Sequence, residues 1–489
     1  MSPSSVAVPF AHPDALFIDG AWSKSGDGRM IDVLEAGTGA LFARVAAAGG
    51  EDMARAVTAA RIAFDCGSWP HLSHRERASY LEAIADGVSR RTADFRNVWI
   101  AETGITVSHA GLALTGMAGA IRSYAALAET YGFVERHRPA AGGVGLLVHE
   151  PVGVVAAIIP WNAPLTMIVH KCVPALLAGC TVVLKAAPEA PGAAYLFAEI
   201  CKDAGLPAGV FNMVTADRDV SDLLVRDARV DKVTFTGSTA VGRHIGAVCA
   251  GRVARCTLEL GGKSAVIVLD DYDVGKAART IALGTTFLSG QVCAALTRII
   301  VPRRKHDDLI EALCETFAGV EVGDPFRPET GMGPLVSQPQ RDRVELFIAS
   351  GRAEGAVLAC GGGRPAGLEG GAYVEPTVFG RVTNDMTIAR EEIFGPVLSV
   401  IAYDDEDDAV SIANDSIYGL NGSIFTPDPE RALAVARRLR SGSVGQNGSR
   451  PDFGIAFGGF KQSGIGREGG AEGLRAFLEL KTIVVDEAA

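Results

Sequence analysis

The N-terminal quarter of the chain carries apolar side chains at helical spacing. In EDMARAVTAARIAFDCG (51–67) and HRERASYLEAIADGVSRR (74–91), an apolar residue returns every three or four positions. That period places the apolar side chains on one face of a helix. The pattern therefore predicts a mainly helical region over the first 130 residues.

Residues 152–250 change character, because short β-branched runs alternate with segments of helical period. The runs are VGVVAAII (152–159), TVVLK (181–185), VFNMV (210–214) and KVTFT (232–236). Helical patterns follow each run, in LTMIVHKCVPALLAG (165–179), GAAYLFAEICKDAG (192–205), VSDLLVRDA (220–228) and TAVGRHIGAVCA (239–250). This alternation predicts a parallel sheet with helices on its faces. Such sheets bind ligands beyond the carboxyl ends of their strands.

A second α/β series begins near SAVIVLDD (264–271) and runs to about residue 463. The closing stretch LELKTIVVDEAA (478–489) resembles an isolated strand, and VERHRPAAGGVGLLVHE (134–150) is a candidate hairpin partner for it. A projecting hairpin has an exposed edge, which another subunit often covers. The predicted fold class is therefore α/β, with two parallel-sheet domains and a small β arm used for oligomerisation.

The composition, net charge and cysteine content indicate which partners, metal sites and location to expect. The chain has 489 residues, 48% hydrophobic and 21% charged, with a net charge of −11. The negative charge argues against nucleic acid or an anionic membrane as a partner. The N-terminus lacks the basic and apolar regions of a signal peptide, and no apolar run reaches transmembrane length. The nine cysteines are scattered without a CxxC pair, so we expect no disulfide framework, no metal site and a cytoplasmic location.

Two glycine-rich stretches resemble nucleotide motifs but lack their context. GIGREG (464–469) matches G-x-G-x-x-G, yet it follows a loop instead of a strand. LGGKS (260–264) resembles the end of a phosphate-binding loop, but Thr257 stands where that loop requires glycine. We therefore assign neither stretch to a phosphate.

Seven stretches, two of which include the rejected motifs, have a single explanation. They are IIPWNAPL (158–165), FTGSTAVG (235–242), LELGGKS (258–264), GQVCAAL (290–296), EEIFGPVLSV (391–400), ANDSIYGLNGSIFT (413–426) and FGGFKQSGIGREGG (457–470). Together, and in this order, they resemble the hydrolytic branch of the NAD(P)-dependent aldehyde dehydrogenase superfamily. The resemblance implies a Rossmann-like NAD(P)-binding domain over 1–130 and 151–260, a catalytic domain over 261–465, and an oligomerisation arm over 131–150 and 466–489.

The chemistry implied by the resemblance assigns four catalytic residues. A thiolate adds to the aldehyde carbon, the resulting thiohemiacetal expels hydride, and water cleaves the thioester. Cys293 matches the nucleophile, although a single cysteine is most often core filler. Glu259 matches the base that activates water, and Asn162 matches the amide that stabilises the oxyanion together with the Cys293 N–H. Lys171 matches a lysine that assists proton movement near the glutamate.

The cofactor positions follow from the same resemblance. Gly237 and Ser238 would meet the pyrophosphate at a helix N-terminus. The other expected contacts are Lys185 at the adenine-side ribose, Glu392 and Phe394 at the nicotinamide ribose, Trp161 in the cleft, and Gly262, where the backbone approaches the nicotinamide closely. Many members carry a glutamate where this chain has Pro188, and here the acid is Glu189. We therefore predict NAD as cofactor, with NADP as the alternative, for which Arg218 could contact a 2′-phosphate.

The expected substrate pocket is roomy and mainly apolar. Its predicted lining is Ala163, His170, Val292, Ala294, Arg450, Phe453 and Phe457. These residues favour a medium-sized or bulky apolar aldehyde. Arg450 or His170 as a carboxylate anchor would instead indicate a semialdehyde acid. Two further alternatives are transfer of the acyl group to coenzyme A, which Glu259 disfavours, and a catalytically silent binding member, which would have lost Cys293, Glu259 or Asn162.

Overall fold

The computed structural model describes residues 6–486, so the predicted domain ends at 1–5 and 487–489 lie outside the described part. The first sheet has eight strands in the order β19-β11-β10-β7-β8-β9-β1-β2. Its strands are β1 (Leu16–Ile18), β2 (Ala21–Ser23), β7 (Val154–Ile158), β8 (Thr181–Ala186), β9 (Phe211–Thr215), β10 (Lys232–Thr236), β11 (Arg255–Glu259) and β19 (Gly464–Ile465). The five central strands from β11 to β9 are parallel, as predicted.

Helices cover both faces of this sheet. They are α1 (Gly50–Asp65), α2 (His74–Arg90), α3 (Thr92–Thr103), α4 (Val107–Leu114), α5 (Met117–Thr130), α6 (Pro164–Ala178), α7 (Gly192–Asp203), α8 (Arg218–Arg226), α9 (Thr239–Gly251) and α16 (Gly470–Arg475). α6 begins at Pro164, whose fixed φ suits the first helical turn, and it ends at the left-handed Gly179. All of its side chains except that of Thr166 are buried, so α6 fixes the residues it carries.

The first 130 residues hold more strand than predicted. A separate antiparallel hairpin, β3 (Met30–Leu34) with β4 (Leu41–Ala46), precedes the helices. Its outer face is exposed at Met30, Leu34 and Leu41. These exposed apolar residues interrupt the alternation that would have identified the strands in the sequence.

The second sheet has seven strands in the order β14-β15-β16-β13-β12-β17-β18, and only the β14–β15 pair is antiparallel. The strands are β12 (Ser264–Val268), β13 (Leu296–Pro302), β14 (Val357–Cys360), β15 (Thr377–Gly380), β16 (Val397–Tyr403), β17 (Asn421–Phe425) and β18 (Ser443–Gln446). Its helices are α10 (Val274–Thr286), α11 (His306–Ala318), α12 (Gln338–Ala353), α13 (Thr387–Arg390), α14 (Glu406–Asn414) and α15 (Pro429–Ala436).

The arm is a three-stranded antiparallel sheet of β5 (Val134–His137), β6 (Val144–Pro151) and β20 (Leu478–Val485), with β6 in the middle. The structure differs from the predicted arm boundary at residue 466. β19 joins β11 of the first sheet, and α16 packs on α5 and α6. The chain therefore enters the arm only at Leu478. Among residues 6–486, no helix is long and apolar enough to cross a bilayer.

Candidate active site

Cys293 lies on a strained loop between α10 and β13. Leu288 and Ser289 adopt left-handed backbone angles, with φ of 48° and 53°. Gly290 is also left-handed, and a side chain there would start 2.4 Å from the Gly395 carbonyl oxygen. The buried side chain of Gln291 fixes the loop: its Nε2 donates to the Leu288 carbonyl at 3.0 Å, and its Oε1 accepts the Val336 N–H at 2.9 Å. The strained backbone is thus held directly before Cys293.

The Cys293 side chain is partly exposed to a cleft between the two sheets. Burial raises the pKa of this thiol to about 12, and the carboxyl groups of Glu392 and Glu259 act in the same direction. The thiol is therefore protonated in the unliganded protein at neutral pH, and a base must remove its proton before it attacks.

Asn162 follows the carboxyl end of β7 and reaches the same loop. Its Nδ2 donates to the Gln291 carbonyl at 3.0 Å. The indole N–H of Trp99 donates to the Asn162 carbonyl at 2.8 Å. An amide has two hydrogens, so the second one is left for a group bound beside Cys293.

Glu259 ends β11 and is buried without a hydrogen-bond partner on either carboxyl oxygen. A side chain on Gly458 would start 2.6 Å from its Oε1, so glycine is required at that position. Burial raises the pKa of Glu259 well above its ordinary value, and Glu468 adds to the rise, whereas Lys171 and Arg467 oppose it. An isolated carboxyl with a raised pKa is suited to take a proton from water.

Lys171 is fully buried on α6 and forms an ion pair beside this carboxyl. Its Nζ lies 2.5 Å from Glu468 Oε1 and 3.2 Å from the Thr234 hydroxyl. The second oxygen of Glu468 has no partner. Glu468 is held by two backbone hydrogen bonds to Phe457. The structure thus brings Lys171 close to Glu259, with Glu468 as a third member.

The cleft continues as two adjoining cavities that share Pro160, Trp161, Thr236 and Gly237. The first, of about 510 Å³, contains Asn162, Cys293, Glu392 and Phe394 in its wall. The second, of about 610 Å³, is lined by Lys185, Glu189 and Arg218. The N-terminus of α9 opens between them, and the buried Thr236 hydroxyl there has no partner. Free N–H groups at a helix N-terminus suit a pyrophosphate, so these residues fit an extended dinucleotide.

Glu392 and Phe394 form one wall of the first cavity. Glu392 Oε1 accepts the Gly262 N–H at 3.1 Å. Burial raises the pKa of Glu392 to about 7, although that hydrogen bond opposes the rise. Phe394 has a left-handed φ of 60° and meets the Trp161 ring edge-on at 5.4 Å. A side chain on Gly262 would start 2.4 Å from the Cys293 carbonyl oxygen, which explains the glycine.

At the second cavity, Lys185 is buried at the end of β8, and burial lowers its pKa, whereas Glu189 opposes that shift. Ser238 is the N-cap of α9, and its hydroxyl oxygen accepts the Val241 N–H at 3.4 Å. Glu189 and Arg218 are both exposed on the cavity wall. The acid expected for NAD and the cation expected for NADP are therefore both present.

Cys293 also belongs to an apolar cluster. Val292, Cys293 and Phe453 pack against buried Ala294, Leu420 and Phe457. Phe453 stacks on Phe457 at 4.3 Å and on His170 at 4.2 Å. Ala163 is partly buried at the start of α6.

Arg450 stands apart from this cluster. Its side chain is exposed, and it starts beside Gly445 of β18. Burial and the neighbouring Lys171 lower the pKa of His170 to about 3, so its ring is uncharged. Neither residue therefore has the setting expected of a buried carboxylate anchor.

Comparison with known proteins accounts for this arrangement. A family model described as the aldehyde dehydrogenase family matches residues 22–483. This chain belongs to the aldehyde dehydrogenase family. The resemblance found in the sequence, the α/β fold class and the assignment as an oxidoreductase are thereby confirmed.

Named aldehyde dehydrogenases are similar over nearly the whole chain. Geranial dehydrogenase from Castellaniella defragrans is 41% identical over 96% of this chain and 98% of its own length. A 3-succinoylsemialdehyde-pyridine dehydrogenase from Pseudomonas sp. is 42% identical over the same shares. The crystal structure of a Mycobacterium tuberculosis aldehyde dehydrogenase with NAD+ superposes with a TM-score of 0.95, at 42% identity, over 97% of this chain and 99% of that one.

Sequence reasoning missed two groups of this aldehyde dehydrogenase site. Glu468 lies in FGGFKQSGIGREGG, but the motif itself assigns it no role. The usable signal is a single acid in a glycine-rich stretch that carries the family resemblance. Tyr124, whose hydroxyl contacts His170 at 3.1 Å, gave no signal. It appears in the sequence only as one apolar position of helix α5.

Proposed function

We propose that this enzyme oxidises an aldehyde to the carboxylic acid with NAD, and that Cys293 is the nucleophile. One observation carries the proposal. Cys293 and Asn162 border the cavity that fits a dinucleotide, and the unpaired carboxyl of Glu259 is near enough to raise the pKa of the Cys293 thiol. That juxtaposition supplies a nucleophile, an oxyanion donor and a base at a single carbon atom.

The proposed reaction begins when water in the cleft takes the proton of the Cys293 thiol. The sulfur forms a bond to the aldehyde carbon, and the carbonyl oxygen becomes an oxyanion. The free hydrogen of Asn162 Nδ2 and the Cys293 N–H donate to this oxygen, whose charge would otherwise be costly in a buried site. The cavity lined by Trp161, Glu392 and Phe394 would hold the nicotinamide of bound NAD, which would supply the acceptor for the hydride. Loss of hydride produces a thioester on Cys293.

Hydrolysis completes the proposed cycle. Glu259 takes a proton from water, the oxygen attacks the thioester carbon, and the carbon–sulfur bond breaks to release the acid. The Lys171–Glu468 pair keeps a positive charge close to Glu259. We propose that Lys171 assists proton movement at Glu259, because its positive charge opposes the raised pKa of the base, and that Glu468 holds Lys171 in place.

The cofactor residues support NAD as the acceptor. Lys185 lies within reach of a ribose in the second cavity, and Glu189 places a negative charge there. A carboxylate accepts a hydrogen bond from a ribose hydroxyl and repels a 2′-phosphate. NAD+ is also bound in the similar M. tuberculosis structure. Arg218, on the same wall, supports NADP as the second candidate.

The pocket supports a medium-sized or bulky apolar aldehyde. Its wall is built from Val292, Ala294, Phe453, Phe457 and uncharged His170. Geranial, the substrate in the name of one relative, is such an aldehyde. A semialdehyde acid is the alternative, but exposed Arg450 gives it little support. Transfer to coenzyme A is disfavoured by Glu259, and a silent member by the presence of Cys293, Glu259 and Asn162.

We further propose that the enzyme is a homodimer or homotetramer joined through the arm. The arm exposes an apolar surface at Val134, Leu480, Val484 and Val485. Exposed apolar strands of this kind are normally covered by another chain. A reducing cytoplasm is the proposed location, supported by nine free cysteines.

The test of the proposed function measures nicotinamide reduction with NAD and with NADP. The aldehydes are acetaldehyde, a long aliphatic aldehyde, benzaldehyde, a terpenoid aldehyde and succinic semialdehyde. We expect NAD to be reduced fastest with the bulky apolar members. A preference for succinic semialdehyde would move the assignment to an acid-bearing substrate, and no reduction of either cofactor would support a silent protein.

A further inference from the structure

Cys293 occupies a tight turn shortly before β13. The Ala295 N–H donates to the Val292 carbonyl at 3.0 Å, so Cys293 and Ala294 are the two central residues of the turn. The backbone of this turn sets the direction of the Cys293 N–H, which is an oxyanion donor in the proposed reaction. A group that fixes the turn therefore acts on the chemistry without touching the substrate.

Asn421, the first residue of β17, reaches this turn from the second sheet. Its Nδ2 donates to the Ala294 carbonyl at 2.9 Å. The same nitrogen donates to the Ser449 hydroxyl oxygen at 2.9 Å, so both amide hydrogens are used. Because a carbonyl oxygen only accepts, the amide atom that faces Ala294 is the nitrogen. The neighbouring Leu420 also packs on the turn, in the cluster that contains Cys293.

The oxygen of the Asn421 amide belongs to a second set of contacts. Asn421 lines a chamber of about 10 Å³ at the start of β12, together with Lys263 and Ser264. Asn421 Oδ1, Lys263 Nζ and Ser264 Oγ are buried, and within residues 6–486 they have no hydrogen-bond partner. Three such atoms around a space of that size suit one bound water molecule. A water bound there would hydrogen-bond to Oδ1 and keep the amide plane in place.

Asn162 and Asn421 hold the turn from the two sheets. Asn162 follows β7 of the first sheet and donates to the Gln291 carbonyl, two residues before Cys293. Asn421 belongs to the second sheet and donates to the carbonyl of Ala294, directly after Cys293. The two amides differ in their second hydrogen. That of Asn162 is left for the oxyanion, whereas that of Asn421 has a protein acceptor.

We propose that Asn421 is a positioning residue, which holds the Ala294 carbonyl and thereby orients the Cys293 N–H toward the oxyanion. The inference rests on the proposed function and adds a residue to its machinery. Without this hydrogen bond the turn relaxes, and a displacement of about 1 Å at a reacting group is enough to slow the chemistry about 100-fold. Asn421 lies outside the walls of both cofactor cavities, so the affinity for NAD should be retained.

The test compares two reactions of Cys293 in the full-length enzyme and in Asn421→Leu. Leucine has nearly the shape of asparagine and lacks the donor. The first reaction is the NADH burst with the best aldehyde of the panel, which passes through the oxyanion. The second is alkylation by iodoacetamide, followed on the Cys293 peptide by mass spectrometry, which needs the thiolate and forms no oxyanion. We expect the burst rate to fall about 30-fold and the alkylation rate to change less than about threefold, with NAD affinity retained.

Ser449→Ala is the matched control, because it removes the second acceptor of Asn421 and leaves the bond to Ala294. Its burst rate should stay within about twofold of the unmutated rate, since Ser449 is exposed and water replaces its hydroxyl. Asn421→Ser is the milder second variant. Its short side chain leaves room for a water that donates to the Ala294 carbonyl, so its burst rate should lie between those of the unmutated enzyme and Asn421→Leu.

The ratio of the two rates decides the outcome. A burst rate that is unchanged in Asn421→Leu, or that falls in proportion to the alkylation rate, would overturn this inference and leave the proposed function intact. If circular dichroism shows that Asn421→Leu does not fold, the same ratio in Asn421→Ser decides. Failure of the unmutated enzyme to reduce NAD with any aldehyde would overturn the proposed function instead.

Discussion

At the scale of single residues, the isolation of Glu259 explains its suitability as a base. Both of its oxygens are buried and unpaired, and the charged groups around it, Lys171 and Glu468, are occupied with each other. A carboxyl in that setting keeps the proton-accepting strength that hydrogen bonds to backbone N–H groups would remove. Glycine at 458 maintains the space next to it.

Glu259→Gln separates the two halves of the proposed reaction. The amide is nearly the same size but cannot take a proton from water, so the thioester should form and then persist. We expect a burst of about one NADH per active site followed by turnover at least 100-fold slower than that of the unmutated enzyme. Stopped-flow absorbance measures both phases, and steady turnover at the unmutated rate would refute the role of Glu259.

The raised pKa values predict how the rate depends on pH. Burial raises the pKa of Cys293 to about 12 and that of Glu259 well above its usual range. Both groups act in their deprotonated forms, and a raised pKa means that this form is gained as pH rises. We therefore expect kcat/KM to increase from acid to alkaline pH. In Glu259→Gln, the steady-state rate should lose the pH dependence that comes from water activation by Glu259. A profile that falls with rising pH would contradict the assignment.

At the scale of secondary-structure elements, the parallel strands explain why much of the site could be predicted. Asn162, Lys185, Gly237 and Glu259 all follow or end strands of the first sheet. The carboxyl ends of parallel strands meet at one edge, so the alternation of strand and helix indicates that they converge. Glu468 could not be placed in this way. It lies 297 residues from Lys171 and approaches it because β19 returns to pair with β11.

Lys171 and Glu468 should affect the stability of the protein as a coupled pair. Lys171→Met leaves a buried carboxylate without its cation, which typically costs about 3–5 kcal/mol of unfolding free energy. Lys171→Met/Glu468→Leu removes both charges and should recover most of that loss. Thermal unfolding of the three proteins, followed by circular dichroism, gives the ranking. A single variant as stable as the unmutated protein would show that the ion pair is not formed.

At the scale of the whole molecule, the arm presents apolar strand surface that a single chain does not cover. β20 and β5 are both edge strands, and the apolar residues of β20 are exposed. Leu480, for example, is 55% exposed. The sequence predicts 134–150 as the hairpin partner of the last strand, and the structure pairs that strand with β6. The sequence does not distinguish a dimer from a tetramer.

Leu480→Asp/Val484→Asp tests the arm as the oligomer interface. Charges on β20 should prevent its burial against a second chain and yield a monomer. Leu346→Asp, at an even more exposed apolar position on α12, is the control and should leave the assembly unchanged. Light scattering after size-exclusion chromatography measures the mass. A monomeric unmutated protein, or an arm variant that remains associated, would contradict the proposal.

NAD reduction by Cys293→Ala, with the best aldehyde of the panel, decides whether Cys293 is the nucleophile. The variant removes only the sulfur atom, and alanine fits the loop that Gln291 holds. NAD binding, followed by the quenching of tryptophan fluorescence, should be retained. We predict that NADH formation, including the burst, is lost by a factor of 1,000 or more, on the order expected for removal of a nucleophile. Oxidation at the unmutated rate would show that Cys293 is not the nucleophile.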